Sequence, residues 1–217
     1  MGINIGSIFN ALMSGVGYTV GLFFITILLS MPLGLGLTYL SNSKSRVLHL
    51  LTRGYVFIMR GTPLMLQLFF FYFALPFIPG IGQFLTMDRF TTACVAFVLN
   101  YAAYFCEIFR GGLLAIDKGQ YEAAKVLGFS KWQMTRKIIV PQMVKVVLPS
   151  VSNESITLIK DTALVTAIGV ADLMHMAKAQ VNSLSNIFPY IVAAFFYLVM
   201  TFGLTKLFGY FEKRFNY

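Results

Sequence analysis

Long apolar stretches alternate with short polar ones along this chain, and this pattern predicts its elements. Five stretches are long enough to span a membrane as helices, because about 20 apolar residues cross the hydrocarbon core. They cover residues 15–40, 55–78, 90–109, 148–170 and 189–211. Each is far longer than the roughly ten-residue alternating strands of a membrane barrel. The pattern therefore predicts an all-α membrane protein whose five transmembrane helices form a single domain over residues 1–217.

The composition indicates that lipid, rather than water, covers much of the surface. Only 12% of the residues are charged and 58% are hydrophobic, whereas soluble domains have about 25% charged residues. The net charge of +9 would favour nucleic-acid binding in a soluble protein. In a membrane protein, Lys and Arg instead mark the cytoplasmic side, so no nucleic-acid partner is predicted.

The distribution of basic residues predicts the orientation of the spans. If the N-terminus lies outside, fourteen of the 17 Lys and Arg residues fall at or near cytoplasmic ends. Arg89 and Lys178 then fall outside, and Lys160 falls within the fourth span. Because Lys and Arg accumulate on the cytoplasmic side, we expect an external N-terminus and a cytoplasmic C-terminus.

The segment between the third and fourth spans, at about residues 111–147, is charged and compatible with water. Residues 122–134 have the pattern of a short amphipathic helix that is interrupted near Gly128. Glycine suits the end of a helix, and Ser130 suits the N-cap of a second one. Taken alone, such a segment fits either a docking surface for a partner or a helix lying on the membrane surface.

The fourth span carries acidic groups at membrane depth. Glu154 and Asp161 are seven residues apart and therefore share one helix face. Ionisable groups inside a membrane normally face a bundle interior or a wet cavity, so this pair would form an electronegative wall suited to an ammonium or guanidinium group. Neighbouring polar residues that could contact the rest of a substrate are Asn153, Ser155 and Thr157.

Lys160 leaves a structural alternative open for these acids. It lies about 100° around the helix from Asp161, and it could pair with that carboxylate, extend to the membrane surface or meet a substrate carboxylate. If the two pair, they are structural and Glu154 lies near the membrane edge. Glu107 and Arg110, three residues apart at the inner end of the third span, could likewise pair on one helix face.

Three blocks of sequence carry a resemblance to a known family. They are Arg60-Gly61-Thr62-Pro63-Leu64 with Gln67; residues 104–112 (YFCEIFRGG) with 119–128 (GQYEAAKVLG); and Pro141-Gln142, Leu148-Pro149 and Asn153-Glu154 with 158–164 (LIKDTAL). With these blocks the chain resembles the membrane-spanning subunits of polar amino-acid ABC importers, the family that includes histidine, glutamine and arginine permeases. Within the second block, residues 122–128 resemble the loop by which such permeases dock onto their ATPase subunits.

The resemblance implies roles for single residues in a cytoplasmic coupling helix between the third and fourth spans. Those implied in docking are Glu122, Ala123, Ala124, Gly128 and Lys131. Arg60, Glu107 and Arg110 are interpreted as structural or gating residues, because the family blocks contain them whatever the substrate. Lys160 is placed with this structural group.

The resemblance also implies an assembly. Two permease subunits, either two copies of this chain or this chain with a close relative, would lie on two ATP-binding subunits, and an extracytoplasmic binding protein would deliver the substrate. This chain has no G-x-x-x-x-G-K-[ST] phosphate loop, the motif that holds nucleotide phosphates. ATP and Mg²⁺ are therefore expected in the ATPase partner. No enzyme activity, cofactor or metal site is predicted for this chain.

The function implied is ATP-driven import of a polar amino acid by a multi-pass protein of a prokaryotic cell membrane. The acidic wall favours a cationic substrate such as arginine, lysine or histidine. A neutral one such as glutamine is an alternative within the same machinery. A further alternative is an ion-coupled secondary transporter that uses the intramembrane acids as relays.

Overall fold

The computed structural model describes residues 5–80 and 82–215, and this part of the chain is helical, without a β-strand. Three long helices are α1 (Ile5–Ser41), α4 (Arg89–Leu114) and α9 (Phe188–Phe215). The shorter ones are α2 (Arg46–Gly61), α3 (Leu64–Phe69), α5 (Lys118–Val126), α6 (Lys131–Met134), α7 (Val140–Asp161) and α8 (Leu173–Leu184). The predicted all-α class is confirmed for the residues described.

Within this part of the chain, α1, α4 and α9 are each long and apolar enough to cross a membrane. α2 and the segment Leu64–Phe77 are together long and apolar enough to form a fourth crossing, if they count as one broken span. The two parts meet at an angle of 105°. α7 has 22 residues but carries Glu154, Lys160 and Asp161 toward its C-terminal end. The number of five spans and the external N-terminus therefore stay predictions.

The segment predicted as the second span, residues 55–78, is not one continuous α-helix. α2 ends at Gly61, Thr62 is extended (φ −118°, ψ 145°), and α3 begins after Pro63. Proline has no N–H to donate, and it disfavours helical backbone in the residue before it, which accounts for the break. Beyond α3 the chain continues as a π-helical turn (Phe70–Ala74) and a 3-10 turn (Leu75–Phe77).

α4 packs against α1, α2, α3 and α7, and it supplies large buried side chains such as Phe97, Tyr101 and Phe105. α1 approaches it closely at Gly34, where an added Cβ would lie 2.7 Å from the Cβ of Phe105. One turn further along α1, the hydroxyl of Thr38 donates to the Cys106 carbonyl of α4 at 3.1 Å. The missing side chain at Gly34 therefore decides how closely these two helices approach.

The helix that carries the predicted acidic wall begins earlier than the fourth predicted span. α7 starts at Val140, ahead of residue 148, and after Asp161 the chain continues as a 3-10 helix (Thr162–Ile168). The extra turns are mostly apolar but contain Gln142 and Lys145, and they are partly exposed. Gly169 then turns the chain with φ +77°, a left-handed backbone that favours glycine, and Asp172 caps α8.

Candidate functional site

An open cleft of about 510 Å³ lies where α2, α3, α4 and α7 meet. The break between α2 and α3 forms one wall, and the other walls come from α4, the C-terminal half of α7 and the turn after it. The lining residues are Arg60, Gly61, Thr62, Pro63, Leu64, Asn100, Tyr101, Tyr104, Glu154, Thr157, Asp161 and Leu164. The cleft thus joins the acids of the fourth predicted span to the Arg60–Leu64 block.

Glu154, Thr157 and Asp161 face this cleft together from α7, which is the arrangement that their spacing predicts. Both carboxylates are partly buried. Asp161 accepts a 2.8 Å hydrogen bond from the Tyr101 hydroxyl of α4. Thr157 donates to the Asn153 carbonyl at 3.1 Å, so its hydroxyl oxygen can still accept from a ligand. The cleft therefore presents two carboxylates and a hydroxyl acceptor on one wall.

The other polar residues that the sequence places near a substrate lie elsewhere on α7. Ser155 is buried and donates to the Val151 carbonyl at 2.7 Å, whereas Asn153 is exposed, and neither lines the cleft. Lys160 is exposed, and no ion pair joins it to Asp161 among the described residues. Adjacent residues point about 100° apart on a helix. This corrects the alternative in which Lys160 and Asp161 form a structural pair.

Arg60 supplies the positive charge among the lining residues of the cleft. Its guanidinium carbon lies 5.3 Å from the centre of the Tyr104 ring, within the range of a cation–π contact. One of its nitrogens, Nη1, lies 3.8 Å from Oε2 of Glu107. The interruption of the helix after α2 therefore places a cation in the same cleft as the two carboxylates.

Glu107 binds three arginines beside the cleft. It pairs with Arg110, as the three-residue spacing predicts, and Nε of Arg110 lies 3.1 Å from each carboxylate oxygen. It also accepts from Arg53 at 3.0 Å and lies near Arg60. Arg53 and Arg60 are seven residues apart, so they lie about two helical turns apart on one face of α2. The Glu107–Arg110 pairing is confirmed, and Arg53 joins it from a distant part of the sequence.

Sequence reasoning did not select Asn100, Tyr101 or Arg53 for this region. Asn100 and Tyr101 precede Tyr104 by about one helical turn, in the apolar middle of α4. Such clustering of polar groups on one side of a helix is the signal that could have identified them. Arg53 carries no comparable signal, because its partner Glu107 is 54 residues away.

The polar segment between α4 and α7 contains the interrupted helix that the sequence predicts. α5 ends at Val126, and Gly128 has φ +75°. Ser130 then opens α6 with a capping box, in which its hydroxyl accepts from the Gln133 amide and the Gln133 side chain accepts from the Ser130 amide. The helix stop at Gly128 and the N-cap at Ser130 are both confirmed.

The residues implied in docking have different surroundings in this segment. Glu122, Ala123 and Lys131 are exposed, whereas Ala124 is buried within this chain. Of these two alanines, Ala123 is therefore the one whose small side chain forms part of the exposed surface. Three large apolar side chains beside them, not selected from the sequence, are also exposed: Val126, Leu127 and Trp132. Exposed apolar side chains that lie together are typical of a surface that contacts a protein partner or a membrane.

Relatives of known description share most of the chain. The glutamine transport system permease protein GlnP of Rickettsia conorii, as it is named, is 37% identical over 191 residues, which cover 88% of this chain and 86% of the relative. The arginine transport system permease protein ArtQ of Bacillus subtilis is 37% identical over 195 residues, or 89% and 87% of the two chains.

A solved structure and a family description agree with these relatives. The structure, described as an amino acid ABC transporter with histidines, superposes with a TM-score of 0.86 at 34% identity, covering 99% of this chain and 100% of that one. Residues 30–217 match the family described as binding-protein-dependent transport system inner membrane component. The chain belongs to this family, as a permease subunit of the amino-acid ABC importers.

Proposed function

We propose that this permease carries a cationic amino acid, such as arginine, lysine or histidine, and that the cleft between α2, α3, α4 and α7 binds it. The charge of the cleft supports this substrate class. Glu154 and Asp161 contribute two carboxylates, and Arg60 contributes one guanidinium. When all three are ionised, one negative charge remains, and a cationic amino acid brings the one net positive charge that balances it.

The same residues suit the two ends of an amino acid. Arg60 offers hydrogen-bond donors to the α-carboxylate. The carboxylates on α7 can accept from the α-ammonium group and from a cationic side chain. Unpaired charges are unfavourable away from bulk water, so a neutral amino acid would leave one carboxylate of the wall without a cation.

A neutral polar substrate is the second candidate, and the relative named for glutamine transport favours it. In that case one of the two acids would be protonated or balanced by another group. Glutamine and arginine differ in side-chain charge while sharing the same α-amino and α-carboxylate groups. Direct comparison of these two amino acids therefore separates the candidates.

The substrate class is tested by binding radiolabelled arginine and glutamine to the purified complex of this chain with its ATPase, without a binding protein. We expect arginine to bind more tightly, and Glu154→Gln or Asp161→Asn to weaken it by at least about tenfold, the scale of a lost charged hydrogen bond. Glu212→Gln removes an acid of α9 outside the cleft and serves as the control. Tighter binding of glutamine, or no effect of either cleft substitution, would refute the cationic class.

The coupling of transport to ATP is assigned to the segment that contains α5 and α6. We propose that Glu122, Ala123 and Lys131, with the exposed apolar side chains beside them, contact an ATPase subunit on the cytoplasmic side of a prokaryotic inner membrane. The ATPases would bind ATP and Mg²⁺, and their closure would move this segment and change the side on which the cleft opens. A second permease subunit and an extracytoplasmic binding protein complete the assembly.

Co-purification and ATP hydrolysis test this coupling. Glu122→Lys together with Ala123→Asp places a reversed charge and a new charge on the exposed face of α5, so we expect loss of the ATPase complex and of amino-acid-stimulated hydrolysis. Lys178→Glu, which changes a charge on α8, is the control and should leave the complex intact. An intact, stimulated complex in the double variant would refute the docking site.

A further inference from the structure

The break between α2 and α3 leaves a backbone carbonyl without its helical donor. In an α-helix the carbonyl of Met59 would accept from the backbone nitrogen four residues later. That nitrogen belongs to Pro63, which has no hydrogen to donate. Met59 lies on a half-buried part of α2, and a buried carbonyl without a partner destabilises the fold by about 1–3 kcal/mol. Another donor must therefore replace the missing one.

Two buried side-chain amides replace it. The Nδ2 of Asn100, on α4, donates to the Met59 carbonyl at 3.0 Å, and the Nε2 of Gln67, on α3, donates to the same oxygen at 2.9 Å. Gln67 also contacts the carbonyl and the hydroxyl oxygen of Thr62 at 3.2 and 2.8 Å. The two amides are joined, because Asn100 donates to Oε1 of Gln67 at 3.0 Å. We call Gln67 and Asn100 the amide clamp.

The amide clamp connects three helices at the point where the chain turns by 105°. The residues between its contacts, from Met59 to Thr62, include Arg60, which supplies the positive charge of the cleft. Gln67 itself does not line the cleft but faces an apolar groove formed with residues such as Met59 and Phe70. Any influence of Gln67 on a ligand in the cleft must therefore pass through the groups that it contacts, namely the backbone of Met59 and Thr62 and the cleft-lining side chains of Thr62 and Asn100.

We propose that Gln67 and Asn100 are positioning residues, which hold the broken helix so that Arg60 and Thr62 meet the α-carboxylate of the substrate. This inference rests on the proposed substrate site in the cleft. It predicts that loss of the clamp weakens substrate binding while ATP hydrolysis and its coupling persist, because no contact of the clamp lies in α5 or α6.

The first measurement is the affinity for radiolabelled arginine in the purified complex with the ATPase. Gln67→Met keeps a side chain of similar length without hydrogen-bonding groups, and Gln67→Glu keeps the shape but removes the amide donors. We expect each to raise the dissociation constant about tenfold, with maximal arginine-stimulated hydrolysis within about twofold of wild type. Thr52→Val is the matched control, because it removes a 2.8 Å bond from a side chain to the Leu48 carbonyl within α2.

The second measurement reports the bend directly and does not depend on any substrate. Spin labels are attached through Leu51→Cys on α2 and Phe77→Cys beyond α3, both exposed positions, after Cys94 and Cys106 are replaced by alanine. Pulsed electron resonance then gives the distance between the labels. Singly labelled chains identify the distances that arise between two permease copies. We expect both Gln67 variants to broaden or shift the distance within the chain, and Thr52→Val to leave it unchanged.

The outcomes separate the clamp from the proposed function. A changed bend with unchanged arginine affinity, or weakened affinity with an unchanged bend, would overturn the positioning role. If Gln67→Met fails to assemble, Gln67→Glu provides the same comparison. If Glu154→Gln and Asp161→Asn leave arginine binding intact, the proposed substrate site is wrong, whereas the label distances still show whether the clamp sets the bend.

Discussion

The hydroxyl of Tyr101 donates a 2.8 Å hydrogen bond to Oδ2 of Asp161, across 60 residues of sequence. Tyr101 belongs to α4 and is almost fully buried, whereas Asp161 is the last residue of α7 and lines the cleft. The bond orients one carboxylate of the acidic wall and leaves its other oxygen for a ligand. It also ties α7 to α4, which packs against α1, α2 and α3 as well.

Removal of that bond is expected to weaken substrate binding. Tyr101→Phe keeps the ring and deletes the hydroxyl, so the Asp161 carboxylate loses a bond of about 1.5–3 kcal/mol and its fixed orientation. We expect the dissociation constant for arginine to rise about tenfold in the purified complex. Tyr55→Phe is the control. It deletes the hydrogen bond from the Tyr55 hydroxyl on α2 to the Leu99 carbonyl on α4, and neither residue lines the cleft. Equal affinities in all three proteins would contradict this role.

Neutralising Glu107 is expected to destabilise the C-terminal part of α4. Glu107→Gln leaves Arg53, Arg60 and Arg110 close together without the carboxylate that they share, so we expect a lower thermal midpoint in detergent, by the equivalent of about 2 kcal/mol. High salt should restore part of the loss, since it screens repulsion between the arginines. Arg53→Gln removes a half-exposed partner and should change stability by less than about 1 kcal/mol. A midpoint equal to wild type in Glu107→Gln would argue against the cluster as a stabilising element.

Two glycines of α1 provide a matched test of helix packing. Gly34→Ala would place a Cβ 2.7 Å from the Cβ of Phe105 and 3.1 Å from the Ala102 carbonyl, so α1 and α4 must separate, at a loss of about 1–3 kcal/mol. Gly36→Ala meets nothing within 4 Å and should keep or raise the thermal midpoint, because alanine favours helix. The midpoints of the two variants in detergent check this, and similar values would show that the close approach is not required.

Gly128 is expected to shape the docking surface through its backbone conformation. At φ +75°, Gly128→Ala carries a strain of about 1–2 kcal/mol and would alter the angle between α5 and α6. We expect weaker co-purification with the ATPase at an unchanged arginine affinity in any complex that forms. Gly111→Ala, a helical position with open space around it, should assemble as wild type does. Normal assembly of Gly128→Ala would contradict a role for this turn.

Local chemistry explains which features could be predicted from the sequence. Glu107 and Arg110 pair because three residues of helix bring them together, and Gly128 with Ser130 interrupts a helix through backbone and capping preferences that act within a few residues. Glu154 and Asp161 share a face because helical periodicity requires it. The break at Pro63 follows from a missing N–H, although its angle of 105° does not.

Sequence alone therefore determined the helical class, the apolar segments and the acidic face of α7, because each depends on composition or on neighbours within a few residues. The family followed from the resemblance of three sequence blocks to known permeases. Only the tertiary structure decided which distant groups meet: Tyr101 with Asp161, Arg53 with Glu107, and Asn100 with the Met59 carbonyl. Those contacts depend on how closely α1, α2 and α7 pack around α4. That packing is set by side-chain shape and by a glycine such as Gly34, which no periodicity along a single helix specifies.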